Sequence, residues 1–258
     1  MLKLSRVLLS FILLFVGVML FAQNQYDHAL TSLDQFRSKG SAEIPIELKY
    51  AFRVDAARLS IRTEEDLSSQ SVRISPTQSN LYYRILTAIY ESDEIGKEIA
   101  ACGIHTSKNL SVDYAELVYN RGMDWAKPLQ EGIASTDHPV INRLMEEYDL
   151  IIQSYRQLDA QNNALVIRAA EPINMAALSN LLSEVEGVVK VNLGTDLKST
   201  SDIQIAPISD GWDVSYLLYF EENGIKQQHR WIFHVNEKWE VEFLNESGAP
   251  VPEDLSCR

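Results

Sequence analysis

Only two cysteines and five histidines occur in 258 residues, and the 23 basic residues are outnumbered by 36 acidic ones. Each scarcity removes a class of function. A nucleic-acid surface needs clustered Lys and Arg to neutralise phosphates, and a formal charge of −13 leaves no surplus for one. The same balance disfavours docking on an anionic membrane face. The sequence has no Gly-x-Ser-x-Gly elbow, His-Glu-x-x-His pair, Walker loop, Gly-x-Gly-x-x-Gly turn or Cys-x-x-Cys pair. The compact signatures of several hydrolase, metalloenzyme, nucleotide-binding and thiol-redox classes are therefore missing. Nothing in the pattern calls for a cofactor or a metal.

What is present begins with an address. Lys3 and Arg6 are followed by an apolar run from Val7 to Phe21, broken only by Ser10 and Gly17, then by Ala22 and the polar Gln23-Asn24-Gln25. This is the layout of a secretory signal peptide. A spanning helix needs about 20 apolar residues, so residues 1–22 read as a cleavable signal and the mature chain as secreted or periplasmic, with no membrane segment after cleavage. Removing it takes away two cations and no acid, which moves the charge to −15. In an oxidising compartment Cys102 and Cys257 can form a disulfide, although Cys257 lies beside a terminus that is free to fray.

The mature chain reads as α+β, with a helical N-terminal region (23–111), a ferredoxin-like βαββαβ unit (112–194) and an antiparallel β-meander (195–258). Residues 112–258 could also form one domain. Tyr26 to Arg37 suggests a short helix. From Pro45 onward, Ile46, Leu48, Tyr50, Phe52 and Val54 alternate as in a strand, yet the length through Arg62 favours a helix. Residues 64–79 read as a loop, and Ser79 or Asn80 as the cap of a helix over Leu81 to Tyr90.

In the middle third, Ala115 to Asn120 is a strand and Trp125 marks a helical turn. Thr136 or Asp137 caps a helix through Tyr148, and strands follow at 150–155 and 164–169. The next helix has Asn174 as N-cap and Gly187 as C′, and a strand around Val189 to Leu193 closes the unit. Strands at 203–208, 212–220, 228–235 and 239–244 then make the meander, with Asn223-Gly224 as a hairpin turn.

Few residues stand out chemically. His105 lies between a helix and a strand, three residues from Cys102, so a nucleophile and its base could be drawn from that pair. His229 and His234 are five apart on one strand and face opposite sides. His229, Trp231 and Phe233 share a face, which on a strand usually means packing. Asp196, Ser199, Ser201 and Asp202 gather oxygens in one loop but supply too few carboxylates for calcium. Asn109-Leu110-Ser111 and Asn245-Glu246-Ser247 match the glycosylation triplet.

Several short elements carry a resemblance: Ile104-His105-Thr106, Trp125 followed by Gly132, Asn174…Ala177-Leu178…Gly187-Val188, His229-Arg230-Trp231-Ile232-Phe233 and Val241-Glu242-Phe243-Leu244. Over residues 45–250 the chain resembles a loose group of uncharacterised secreted bacterial proteins. That group often carries a Gly/Asp/Asn-rich loop where Thr195 to Asp202 stands and a Cys-containing hairpin near Glu221 to Lys226, and this chain lacks both. The resemblance implies export and a shared architecture, not an activity. The resulting expectation is a non-enzymatic exported binding module for a protein, peptide or extracellular polymer. The alternative is an extracellular hydrolase with a scattered site around His105, Asp113 and His229.

Overall fold

The computed structural model describes residues 44–62, 71–92, 94–107, 111–133, 135–194 and 200–252. The signal segment, the Tyr26–Arg37 helix, Asn109, Asp196, Ser199 and Cys257 lie outside them. The described residues all belong to the unit Ile44–Arg258, and they form an α+β structure with two antiparallel four-stranded sheets.

Helix α1 (Ile46–Ile61) begins after Pro45, whose fixed φ suits a helix start. Its second half, Val54 to Ile61, is buried residue after residue. Phe52 and Leu59 pack into one core, while Val54, Ala57 and Ile61 pack with Val112 into another. A helix buried all round has no single apolar stripe, which explains why its sequence also scans as a strand. Helix α2 (Pro76–Ser92) starts at Pro76, not at Leu81. Proline is pre-organised for the first helical turn, so the preceding loop is shorter than 64–79 and neither Ser79 nor Asn80 is a cap. Helix α3 (Glu94–Ala101) follows.

The first sheet takes β1 (Tyr114–Asn120), β2 (Leu150–Gln157), β3 (Asn162–Ala169) and β4 (Val188–Asn192) in the order β2-β3-β1-β4. Helices α4 (Ala126–Gln130), α5 (Pro139–Glu147) and α6 (Met175–Ser183) lie in its connections. Leu117, Tyr119, Leu165 and Ile167 from the sheet pack with Leu144 and Leu178 from α5 and α6. Asn174 caps α6 as expected, its side chain accepting from the N–H groups of Ala176 and Ala177. Two sequence expectations shift here. The cap of α5 is His138, whose Nδ1 accepts from Ile141 N–H, because Thr136 is engaged by Asn142. Gly187 lies beyond the end of α6, at φ +84° in the turn into β4, where an added Cβ would strike Met123.

On the sheet's other face Glu116 bridges strands, accepting from Arg156 on β2 and from Asn192 on β4. Burial opposes its charge, but the bonds from Arg156 and Asn192 outweigh that and hold the carboxyl below its ordinary range. A depressed carboxyl stabilises the fold above its unfolded value and loses that contribution as pH falls through the folded one. Glu116→Gln is therefore expected to unfold more readily than wild type at pH 7 and to close that gap by pH 3. Urea midpoints at the two pH values measure it, and a gap independent of pH would count against the bridge.

The second sheet, β5 (Ser201–Ile208), β6 (Gly211–Glu222), β7 (Ile225–Asn236) and β8 (Val241–Gly248), is a meander in sequence order. Asn223 and Gly224 both take positive φ in the β6–β7 turn, the geometry their sequence announces. Ile203, Val214, Tyr216, Trp231 and Phe233 pack against Phe52, Ile85, Leu86 and Ile99. Thus the three N-terminal helices cover the C-terminal sheet. At the β7–β8 turn Trp239 sits at φ +69°, a left-handed conformation that a bulky side chain adopts only under strain. Its ring stacks on Trp212 with centroids 5.7 Å apart, and the Arg84 guanidinium lies 3.7 Å above it. Trp239→Gly and Trp239→Ala should both melt below wild type. The glycine variant should be the more stable of the two by about 1 kcal/mol, because only glycine relieves the backbone. Equal melting of the two would refute the strain.

Candidate functional site

The polar centre of the molecule is Asp55, on the all-buried stretch of α1 and only 1% exposed. Its carboxylate accepts three hydrogen bonds. His105 Nδ1–H donates to Oδ2 at 2.8 Å, while Thr106 donates to Oδ1 through both its N–H (2.9 Å) and its hydroxyl (2.7 Å). The loop that follows α3 is thereby fastened to α1. Ser201, at the start of β5, fastens the same loop to the second sheet: its Oγ accepts from His105 N–H and donates to His105 C=O. One residue on, Asp202 accepts from Ser107 N–H at 2.9 Å and from Arg62 at 2.6 Å. Ser201 and Asp202 thus serve the loop. Among the described residues no group of three or more His, Cys, Asp or Glu side chains is placed to hold a metal ion.

His105 borders a small recess with room for about one water molecule, walled by apolar side chains that include Leu48, Phe52, Leu86 and Ile104. Tyr216 from β6 lines the same recess. Burial, and after it the negative charge of Asp55, push the Tyr216 phenol far above its ordinary range, so it remains a neutral donor. Tyr216 is 4% exposed, and its ring meets that of Phe233 edge-on with centroids 5.9 Å apart. With Nδ1–H given to Asp55, a neutral His105 ring carries its lone pair on Nε2. The recess therefore has greasy walls and two polar groups at its lining, an imidazole and a phenol that can donate or accept.

His105, Asp113 and His229 do not share a hydrogen bond or an ion pair. Asp113 faces two arginines, Arg168 at 3.1 Å and Arg58 at 4.0 Å, and its backbone carbonyl accepts from Ala169 N–H. It ties α1 to β3. His229 is 7% exposed, with Nδ1–H donating to Ala249 C=O at 2.8 Å and its ring 4.2 Å from that of Trp231. Its Nε2 has no partner among the described residues. The carboxylate beside His105 is Asp55, 50 residues upstream on a helix, which no local spacing could have paired with it. An acid inside the apolar stretch Val54 to Ile61 was the available signal, since a buried carboxylate needs partners. The His105 ring is bonded to Asp55. No family model matches the chain, and no curated protein or solved structure matches it either.

Proposed function

We propose that this protein is an exported, non-enzymatic binding module whose partner engages the surface around the half-buried His105. The observation that carries this reading is a carboxylate-held, partly exposed imidazole at the edge of an apolar recess that the neutral Tyr216 phenol also lines. Apolar walls with a few convergent polar groups are the general form of a ligand site. The recess holds about one water molecule, far below the roughly 300–1,000 Å³ of pockets for drug-sized molecules. A protein, peptide or extracellular polymer would therefore engage the surface around His105 and not enter the recess.

Several expectations belong to the same reading. The signal-peptide pattern supports export to a secreted or periplasmic location. The strand order β2-β3-β1-β4, antiparallel throughout, supports a ferredoxin-like layout for 112–194. Cys102 and Cys257, the chain's two cysteines, would close a disulfide there. The division into 23–111, 112–194 and 195–258 follows the sequence pattern.

A second reading, a hydrolase, draws on the Asp55–His105 contact, because a carboxylate that orients an imidazole is a general-base arrangement. The side-chain contact shown for the His105 ring is with a carboxylate and not with a nucleophile, which ranks this second. The two readings part in one experiment. Mature protein is mixed with a fractionated extracellular medium and followed by amide NMR, while the same preparation is assayed on ester and amide substrates. Saturable shifts confined to residues around the recess, without turnover, support the binding module. Turnover abolished by His105→Ala reverses the ranking.

A further inference from the structure

We infer that the face of the first sheet bridged by Glu116, built from residues other than those around His105, docks an acidic peptide segment of a partner protein. Helices α5 and α6 pack on the opposite face of that sheet. The strand register puts Arg156, Arg168, Lys190 and Glu116 together on this one. Its charge runs against that of the whole chain. Glu116 is bonded to Arg156 and lies in the field of Lys190 as well. Asp113, at the margin of the face, is shared by Arg168 at 3.1 Å and Arg58 at 4.0 Å. Each acid thus faces two cations, an excess of two positive charges on a protein with 36 acidic and 23 basic residues. A ligand that brings carboxylates completes the balance, and the exposed Arg156 and Lys190 are the groups that meet it.

Apolar surface beside this charge selects the kind of anion. Ile151, the register partner of Arg168, is 55% exposed. Tyr50 of α1, whose hydroxyl accepts from Arg168 at 3.1 Å, is 37% exposed. An acidic peptide with branched or aromatic side chains covers both, whereas a polyuronate has no such group. Strand addition is not the mode, because both outer strands are bulged, β2 at Gln153 and β4 at Val189, and a bulged edge is a poor template for another strand. The segment therefore lies across the face and is held by side chains.

The test titrates the mature chain with three probes, each followed by amide NMR: a short peptide repeating Glu-Glu-Leu, its Gln-Gln-Leu counterpart, and oligogalacturonate. The acidic peptide should bind saturably, with shifts centred on Ile151, Arg156 and Lys190, and the other two at least tenfold more weakly. Its affinity should fall as salt is added, since exposed charges are screened. Lys190→Glu reverses an exposed charge and Ile151→Ser trims an exposed side chain, so both leave the core intact. The first should weaken the acidic peptide about tenfold and the second about threefold. Equal binding by wild type and Lys190→Glu, or equally tight binding of the Gln-Gln-Leu peptide, would overturn the acidic partner. Equal binding by wild type and Ile151→Ser, or tighter binding of oligogalacturonate, would overturn the peptide in favour of an anionic polymer. Failure of the acidic peptide to bind saturably would remove this face as a docking site and leave the reading of the His105 surface standing.

Discussion

Asp55→Ala should lower the stability of the unit by about 4 kcal/mol and its melting temperature by roughly 10 °C. The size follows from what the substitution strands. Three donors, His105 Nδ1–H, Thr106 N–H and the Thr106 hydroxyl, converge on a carboxylate that water barely reaches. Removing it leaves two of these in a wholly buried residue, Thr106, and an orphaned buried donor costs about 1–3 kcal/mol. Asp55→Asn should cost only about 1–2 kcal/mol, because its carbonyl oxygen can keep both Thr106 bonds and a tautomer change lets His105 accept from the amide. Thr106→Val should fall between them. Calorimetry on the three variants checks the order. If Asp55→Ala melts with wild type, the loop after α3 is not held by this carboxylate, and the orientation of His105 loses its basis.

Much of the architecture is legible in the sequence where one physical signal dominates. The Asn174 cap, the Asn223-Gly224 turn and the alternation of His229, Trp231, Phe233 and Val235 on β7 are local effects, and each stands where its residues put it. Signals blur where tertiary contact decides. Residues 46–61 look ambiguous because the helix is wrapped on several sides, so its apolar residues obey no single period. A helix start at Pro76 is hidden because its first turn, Pro76 to Asn80, contains no apolar aliphatic residue to show the repeat.

The long-range order is the least legible. Helices α1 to α3 and the meander β5 to β8 share one core although the first sheet lies between them in sequence. Ion pairs across the chain are equally silent, since Arg58 and Arg168 meet at Asp113 from 55 residues away on either side. The candidate site belongs to this category. Asp55 comes from α1, His105 from a loop and Tyr216 from β6, and only the shared core brings them together. Single residues such as His105 can be singled out in a sequence of this kind, but their partners cannot.

That same sharing gives the two cysteines a large expected effect. Cys102 follows α3 and packs, with Val251, at the margin of the core between the helices and the second sheet. The chain leaves β8 at Gly248, and Ala249 C=O accepts from His229 at 2.8 Å. Cys257 is six positions beyond Val251, an extended reach of about 20 Å, and Val251 packs against the same core as Cys102. A bond between the two would close a loop of some 150 residues and stabilise by about 5 kcal/mol in the chain-entropy model. Thiol titration of the unfolded mature protein should find no free thiol before reduction and two after it. Reduction, or Cys257→Ser, should lower the melting temperature by roughly 10–15 °C. The Cys102→Ser and Cys257→Ser variants should melt alike, and the double variant should be no worse, because either change opens the same loop. Two titratable thiols in oxidised protein, or losses that add in the double variant, would show that the cysteines act separately.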